Sequence, residues 1–158
     1  MTHTIDRFSG TYRFLSNFHL CLVIGWDGEQ YPSVEHAYQA AKTFDLDYRQ
    51  RIRTAPSAAQ AKKLGKVVPR RDPNWDEGNK LRVMRFLVNG KFWNQKGLMA
   101  RLNATDNCEL IEGNTWGDTY WGCVKSPSGI WFGENHLGKL LMQARTDNRL
   151  GIDPSRRG

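Results

Sequence analysis

The chain has 158 residues, of which 39% are hydrophobic and 11% aromatic, and this is enough apolar surface for one compact domain with its own core. The formal charge is +7 at pH 7, and no stretch approaches the roughly 18 consecutive apolar residues of a membrane span. Three cysteines and four histidines are too scattered for the spacing of a zinc site or a disulfide framework. We therefore expect a soluble cytoplasmic protein that has no metal and no cofactor.

Residues 8 to 26 carry aromatic and β-branched side chains, and this pattern predicts extended structure that ends in a turn at DGEQ. Within the segment, the guanidinium of Arg13 suits a phosphate or a carboxylate, and the amide of Asn17 both donates and accepts hydrogen bonds. Phe14 lies between them in the sequence. The same pattern also fits a plain strand with one polar side.

The segment YPSVEHAYQAAK predicts a helix over residues 33 to 44, with Ser33 as its N-cap. Helical periodicity separates two faces, an apolar one with Val34, Ala37, Ala40, Ala41 and Phe44, and a polar one with Glu35, Tyr38, Gln39 and Lys42. Glu35 and Lys42 are seven residues apart, so they differ by only about 20° around the axis and lie about 10 Å apart along it. The polar face either borders a small pocket or is a solvated stripe.

The whole positive excess of the chain comes from the basic segment, which we define as residues 49 to 71. It holds eight Lys or Arg and no acid, whereas 15 bases face 16 acids in the rest of the sequence. Such a segment attracts phosphates, although a solvated helical face is the simpler interpretation. Helices are predicted here over about 47 to 53 and from the cap Ser57 to a stop at Gly65.

The second half continues with more helices and a few short strands. We predict a helix capped by Asn74 that runs to about Trp93, another over 95 to 103, a strand in CELIEGN, an extended run at IWFG and a final helix from near Asn135. The tail from Asp147 is expected to be frayed, which leaves residues 1–146 as the catalytic domain and 147–158 as the tail. The chain is therefore predicted to be a small, single-domain, predominantly helical α+β protein.

The stretch GNTWGDTYWG, residues 113 to 122, concentrates three glycines and two tryptophans around one carboxylate, Asp118. A solvent-exposed loop gains nothing from Trp116 and Trp121, so the stretch indicates either a binding wall or a minor core cluster in which Asp118 is a helix cap. Asn135, at the start of the last helix, suits an anion or serves as a plain cap. No phosphate-loop, dinucleotide or nucleophile-elbow motif is present.

Several motifs in one order resemble the NADAR (YbiA-like) family from about Phe8 to Arg145. They are FLSNF, YPSVEHAYQAAK, NW, KFWNQ, the stretch from Trp116 to Gly122, and NHLGKLLM. The resemblance implies a small α+β N-glycosidase that cleaves the bond between a ribose C1′ and a nitrogen without a metal. Some members act on phosphorylated riboflavin-pathway intermediates, and others remove ADP-ribose from guanine bases in nucleic acid.

The resemblance also implies a set of site residues. Glu35 matches the catalytic glutamate, Lys42 the lysine that traps the opened ribose as a Schiff base, and Asp118 part of an element beside the pocket. We expect these three residues to be catalytic. The implied substrate-binding residues are Arg13, Phe14, Asn17, Tyr38, Trp93, Trp116, Trp121 and Asn135.

Among N-glycosidase substrates we favour ADP-ribosylated nucleobases or nucleic acid over a small ribosyl phosphate metabolite, because small phosphates hardly need the whole basic segment. Two readings without catalysis stay open. One is a binding module for ADP-ribose or single strands, and the other is a helical DNA-binding protein that uses the basic segment. No membrane partner and no obligate protein partner are expected.

Overall fold

A computed structural model describes residues 3–156 of the chain. Its helices are α1 (Val34–Ala40), α2 (Leu46–Arg53), α3 (Ala58–Gly65), α4 (Lys80–Trp93), α5 (Lys96–Asn103) and α6 (His136–Arg149), with 3-10 turns at Gly10–Leu15 and Pro154–Arg156. Its strands are β1 (Thr4–Ile5), β2 (Val23–Ile24), β3 (Gln30–Tyr31), β4 (Glu109–Leu110), β5 (Val124–Lys125) and β6 (Trp131–Phe132). The predicted α+β class, mostly helical with a few short strands, is confirmed.

The chain divides into two compact units. The glutamate unit, as we name it, is Asn17–Lys91, and the tryptophan unit combines the chain up to Ser16 with the chain from Phe92 onward. Each unit is described by itself.

The glutamate unit is built around α1, which packs against α2, α3 and the β2–β3 hairpin. Small side chains on the facing helices, among them Ala37, Ala58 and Ala61, are almost completely buried and allow a close approach. The predicted caps are confirmed, because Ser57 accepts a hydrogen bond from the backbone of Gln60 and α3 ends at Gly65. Because α2, α3 and the hairpin pack against α1, every residue of α1 is buried.

The tryptophan unit joins distant parts of the sequence through short strand pairs. β1 pairs in parallel with β4, β5 pairs with β6 in antiparallel orientation, and α6 packs on α5 and β4. The inner side of α6 is apolar, with Leu137, Leu141 and Ala144 each at most 2% exposed. The strand predicted in CELIEGN and the helices predicted near 95–103 and from Asn135 are confirmed.

The prediction of extended structure over residues 8 to 26 is wrong for its first part. Gly10–Leu15 forms a 3-10 turn, in which Ser16 N–H donates to the carbonyl of Arg13, and a strand appears only at Val23–Ile24. Phe14 and Leu15 are both buried although they are consecutive. A strand would place them on opposite faces, so the turn is what lets both side chains enter the core.

Two predicted helices are shorter than their sequence patterns suggest. Asn74 makes no side-chain cap, and α4 begins only at Lys80, because Gly78 takes a left-handed conformation with φ +124°. α1 ends at Ala40 rather than near residue 44. Beyond it, the Thr43 hydroxyl donates to the carbonyl of Pro69, and Phe44 is 50% exposed instead of facing the core.

The last helix is longer than predicted. α6 continues to Arg149 and includes residues 147–149, which the sequence assigned to the tail. The Asp147 side chain is buried and accepts a hydrogen bond from Gln143, one turn earlier. Within residues 3–156, no helix has both the length and the apolar character that a membrane crossing requires.

Candidate active site

Glu35 is a carboxylate in the first turn of a fully buried helix. Ser33 caps α1 by accepting a hydrogen bond from the His36 amide at 3.1 Å, and the Glu35 amide donates to the Asn17 carbonyl. The side chain of Glu35 is only 7% exposed, and its Oε1 accepts a 2.6 Å hydrogen bond from Gln39 Nε2. The interpretation of this face as a solvated stripe is therefore wrong for Glu35 and Gln39.

Lys42 lies two residues beyond the end of α1, near the same carboxylate. Burial lowers its pKa, Arg71 and Lys62 lower it further, and the charges of Glu35 and Asp76 partly oppose this effect. A lower pKa gives a larger fraction of neutral amine, which is the nucleophilic form. The charge of Glu35 thus acts on the Lys42 amine, which lies in the turn after the helix and not in the helix itself.

An aromatic pair accompanies these two groups. The Tyr38 ring, 7% exposed, packs at 5.1 Å against the indole of Trp75, and the Lys42 ammonium lies 5.3 Å from the Tyr38 centroid. Tyr38 belongs to the predicted binding set, whereas Trp75 was identified only as part of a motif.

In the folded protein, part of the positive charge of the basic segment is paired with acidic residues. Acids from outside it approach three of its arginines, Arg49 to Asp27 at 3.8 Å, Arg53 to Glu29 at 3.0 Å and Arg71 to Asp76 at 3.0 Å. Lys62 takes another position, 6.0 Å over the Phe18 ring. The segment therefore supplies cations near Lys42, but part of its charge is compensated by the protein.

The predicted residues of the FLSNF region serve different purposes. Asn17, in the glutamate unit, contributes its backbone carbonyl to Glu35, and its amide contacts Met84 Sδ at 3.5 Å. In the tryptophan unit, Phe14 is 3% exposed and its ring is covered by the Arg101 guanidinium at 4.2 Å, so it is a core residue there. Arg13 is exposed at the end of the 3-10 turn.

Asp118 shapes the glycine-rich loop. Its Oδ1 accepts hydrogen bonds from the amides of Tyr120 at 3.0 Å and Trp121 at 2.9 Å. Asn114 binds the backbone N–H and C=O of Asp118 with both ends of its amide. The alternative interpretation of Asp118 as a helix cap is therefore wrong, because the amides that it binds belong to a loop. Trp116 is 65% exposed on the same loop.

The remaining predicted residues lie at helix ends of the tryptophan unit. Asn135 is 7% exposed, and its side chain accepts from the Glu112 amide and donates to the Leu110 carbonyl. Its amide group is thus engaged with the backbone at the start of α6. Trp93 ends α4, and its buried Nε1 has no acceptor among residues 3–156. In the same part of the chain, no group of three His, Cys, Asp or Glu is arranged to hold a metal ion.

The electrostatic partners of Lys42 and the contact between Gln39 and Glu35 were not predicted from the sequence. Arg71 and Asp76 act on Lys42 across a chain reversal, for which the sequence carries no signal. Gln39 was noticed on the polar face but not included in the site. Its spacing of four residues from Glu35 is the signal that points to a contact on one helix face.

Residues 6–149 match the model of the NADAR domain family. The chain is 38% identical to the N-glycosidase YbiA of Escherichia coli over 151 residues, which cover 92% of this chain and 89% of that protein. It is 35% identical to the riboflavin biosynthesis protein VVA0006 of Vibrio vulnificus over 138 residues, covering 85% of this chain and 35% of that protein.

The fold is similar to that of a solved relative. The NMR structure of YbiA from E. coli superposes with a TM-score of 0.76 at 35% sequence identity, covering 96% of this chain and 88% of that one. The predicted YbiA-like fold is therefore confirmed.

Proposed function

The chain belongs to the NADAR domain family and is an N-glycosidase, and from this premise we propose that it cleaves the bond between a ribose C1′ and a nitrogen with Glu35 and Lys42. The observation that carries the proposal is the buried carboxylate of Glu35 next to an amine whose pKa burial lowers. A non-catalytic binder of sugars has no use for such a pair.

Glu35 stabilises the charge that develops when the bond breaks. Cleavage of C1′–N builds oxocarbenium character on the ribose, and a carboxylate that is little exposed to water stabilises a nearby positive charge more strongly than a solvated one does. The leaving nitrogen keeps the bonding electron pair and takes a proton. Water supplies that proton, so Glu35 stays charged throughout the step.

Lys42 acts in its neutral form as the nucleophile. Its Nζ adds to C1′ and loses a proton, the C1′–O4′ bond opens with O4′ taking up a proton, and a Schiff base to the open ribose results. Water then adds to C1′ and the C1′–Nζ bond breaks, which releases the sugar and restores the amine. The net reaction is hydrolysis of the N-glycosyl bond.

The substrate that we propose first is an ADP-ribosylated guanine base, free or in nucleic acid. The pyrophosphate of ADP-ribose needs cations near the reacting ribose, and Lys62 and Arg71 are close enough to Lys42 to lower its pKa. Further bases of the segment, such as Lys63 and Lys66, are exposed and suit a longer phosphate chain.

A second candidate substrate is a phosphorylated ribosyl intermediate of riboflavin biosynthesis. Two relatives carry that pathway in their names, VVA0006 of V. vulnificus and the chloroplastic protein PYRR of Zea mays, which is 31% identical over 128 residues. Acids compensate Arg49, Arg53 and Arg71, so the basic segment has less free positive charge than its sequence suggests. The remaining charge suits a small phosphate better than the full segment would.

The test combines turnover with trapping. Each candidate substrate is incubated with the protein and with borohydride, and the reduced adduct is located by intact mass and peptide mapping. We expect an adduct on Lys42 and none in Lys42→Arg, which keeps the charge, while Lys96→Arg, on an exposed lysine of α5, behaves like the parent protein. Turnover without any adduct would remove the Schiff base from the mechanism and leave Glu35 to direct water.

The same reactions separate the two substrates. Release of guanine and ADP-ribose from modified DNA that weakens as salt rises supports the first candidate, because phosphate contacts are screened. Cleavage of a ribosylaminopyrimidine phosphate alone supports the second candidate. Full sugar binding with no cleavage of either substrate would contradict the N-glycosidase mechanism.

A further inference from the structure

We propose that Gln39 is a positioning residue that orients the Glu35 carboxylate, and that Gly65 on α3 is a glycine because Gln39 occupies the space of its side chain. The inference rests on the proposed function, since it takes Glu35 as the catalytic carboxylate. Gln39 on α1 and Gly65 on α3 would thus support the reacting groups from two different helices.

The contact between Gln39 and Glu35 is short and enclosed. Gln39 Nε2 donates to Glu35 Oε1 at 2.6 Å, and the two residues are 3% and 7% exposed. They lie one helical turn apart on α1, so the backbone fixes both ends of the hydrogen bond. A donor held in this way restricts the carboxylate to one orientation and favours its charged form over the protonated one.

The Gln39 side chain packs closely against Gly65 on α3. A Cβ built on Gly65 would lie 2.9 Å from Gln39 Cβ and 2.5 Å from its Cδ, with Oε1 nearer still. Gly65 is helical, so its backbone alone would accept an alanine, and the obstacle is the Gln39 side chain.

The amide orientation follows from the same packing. Gln39 Oε1 is buried against Gly65 and has no hydrogen-bond donor among residues 3–156, while Nε2 faces the carboxylate. The reverse orientation would bring two acceptor oxygens together. The protein thus leaves a buried acceptor unsatisfied, which carries a free-energy cost, and in return it directs a donor at Glu35.

The first experiment removes the donor without removing the volume. In Gln39→Met we expect kcat to fall by about 10²-fold through misorientation of the carboxylate, with KM changed much less. The acidic limb of the pH–rate profile should move to higher pH, because the variant no longer favours the charged carboxylate. Gln60→Met, on the exposed side of α3, is the matched control and should leave both unchanged.

A rescue variant separates positioning from packing. Gln39→Glu places a second carboxyl beside Glu35, and when the pair shares one proton the hydrogen bond is restored. Its activity relative to Gln39→Met should therefore rise as the pH falls. Activity of Gln39→Glu that stays at or below that of Gln39→Met as the pH falls would contradict the proposal.

The last experiment is a double-mutant cycle with Gly65. Gly65→Ala should lower kcat by about as much as Gln39→Met, since the new methyl displaces the amide, whereas Gly97→Ala on α5, where a Cβ meets nothing within 4 Å, should be neutral. A Gln39→Ala background lacks the Cδ and Oε1 atoms that the new methyl group would overlap. Adding Gly65→Ala there should lower kcat only a little further. Additive losses would overturn the role of Gly65, and thermal melts are used to check that each variant is folded.

The positioning role of Gln39 and the proposed function are tested separately by these variants. If Glu35→Gln is inactive and Gln39→Met is fully active with an unchanged pH profile, the positioning role is wrong and the proposed function stands. If Glu35→Gln is itself fully active, the proposed function and this inference both fail.

Discussion

The glutamate unit and the tryptophan unit use buried polar side chains in opposite ways. In the tryptophan unit, Asn114, Asp118 and Asn135 direct their hydrogen bonds at backbone groups and fix a loop and a helix start. In the glutamate unit, Glu35 accepts a hydrogen bond from the side-chain amide of Gln39, and burial of Lys42 disfavours its charged form. The first arrangement stabilises a shape, whereas the second carries a free-energy cost, because it buries ionisable groups.

The two units differ most in their acids, Glu35 and Asp118, and the largest effect is expected from substituting Glu35. Glu35→Gln should reduce turnover by about 10³-fold, because the charge that stabilises the transition state is lost. Asp118→Asn should keep most of the activity, since the amide oxygen still accepts from the Tyr120 and Trp121 amides. Steady-state kinetics of both variants check this, and an inactive but folded Asp118→Asn would return Asp118 to the predicted catalytic set.

The second expected effect concerns stability in the tryptophan unit. Asn135→Ala should lower the free energy of unfolding by about 2–3 kcal/mol, because the Glu112 amide and the Leu110 carbonyl lose their buried partner. Asn135 has φ +53°, so Asn135→Gly relieves the backbone and isolates the hydrogen-bond contribution. Urea denaturation measures both. Loss of substrate affinity without loss of stability would instead support the predicted binding role.

A smaller effect is expected on the amine of the glutamate unit. Lys62 lowers the pKa of Lys42 and Glu35 raises it, so the two substitutions should shift the amine in opposite directions. Borohydride trapping of free ADP-ribose or ribose 5-phosphate, which needs no bond cleavage, should reach half its maximum at higher pH in Lys62→Gln and at lower pH in Glu35→Gln. Shifts in the same direction would mean that these charges do not act on Lys42 as described.

The smallest effect is expected from His36, a buried ring in the glutamate unit that performs no chemistry in the mechanism. Its Nε2 donates to the Ala55 carbonyl, so Nδ1 accepts from Ser33, and burial lowers its pKa. Below its ordinary value near 6.5, the unfolded chain binds a proton that the folded chain does not. The free energy of unfolding should therefore decline as pH falls from about 7 until the folded His36 itself titrates.

Urea titrations at a series of pH values check this dependence. His36→Gln should show a flatter decline than the parent protein, and His3→Gln, at an exposed position, is the matched control. An identical slope in His36→Gln and the parent would show that another group controls the pH dependence.

Sequence patterns predicted the local structure well where a single element carries its own signals. The cap at Ser57 and the stop at Gly65 define α3, and the apolar repeat defines α6 from its start. The predictions were wrong where glycine geometry or burial overrides periodicity. Gly78 breaks the predicted helix from Asn74, and Phe14 with Leu15 fold into a turn so that both are buried.

The amino-acid sequence by itself determined the family, the α+β class and the acid and amine on one short stretch, because motifs and helix caps are local properties of the chain. Tertiary structure alone decided that Glu35 is buried, that acids from elsewhere compensate part of the basic segment, and that Gly65 leaves space for Gln39. Burial and electrostatic shifts depend on groups brought together from distant positions, and no local pattern specifies those distances.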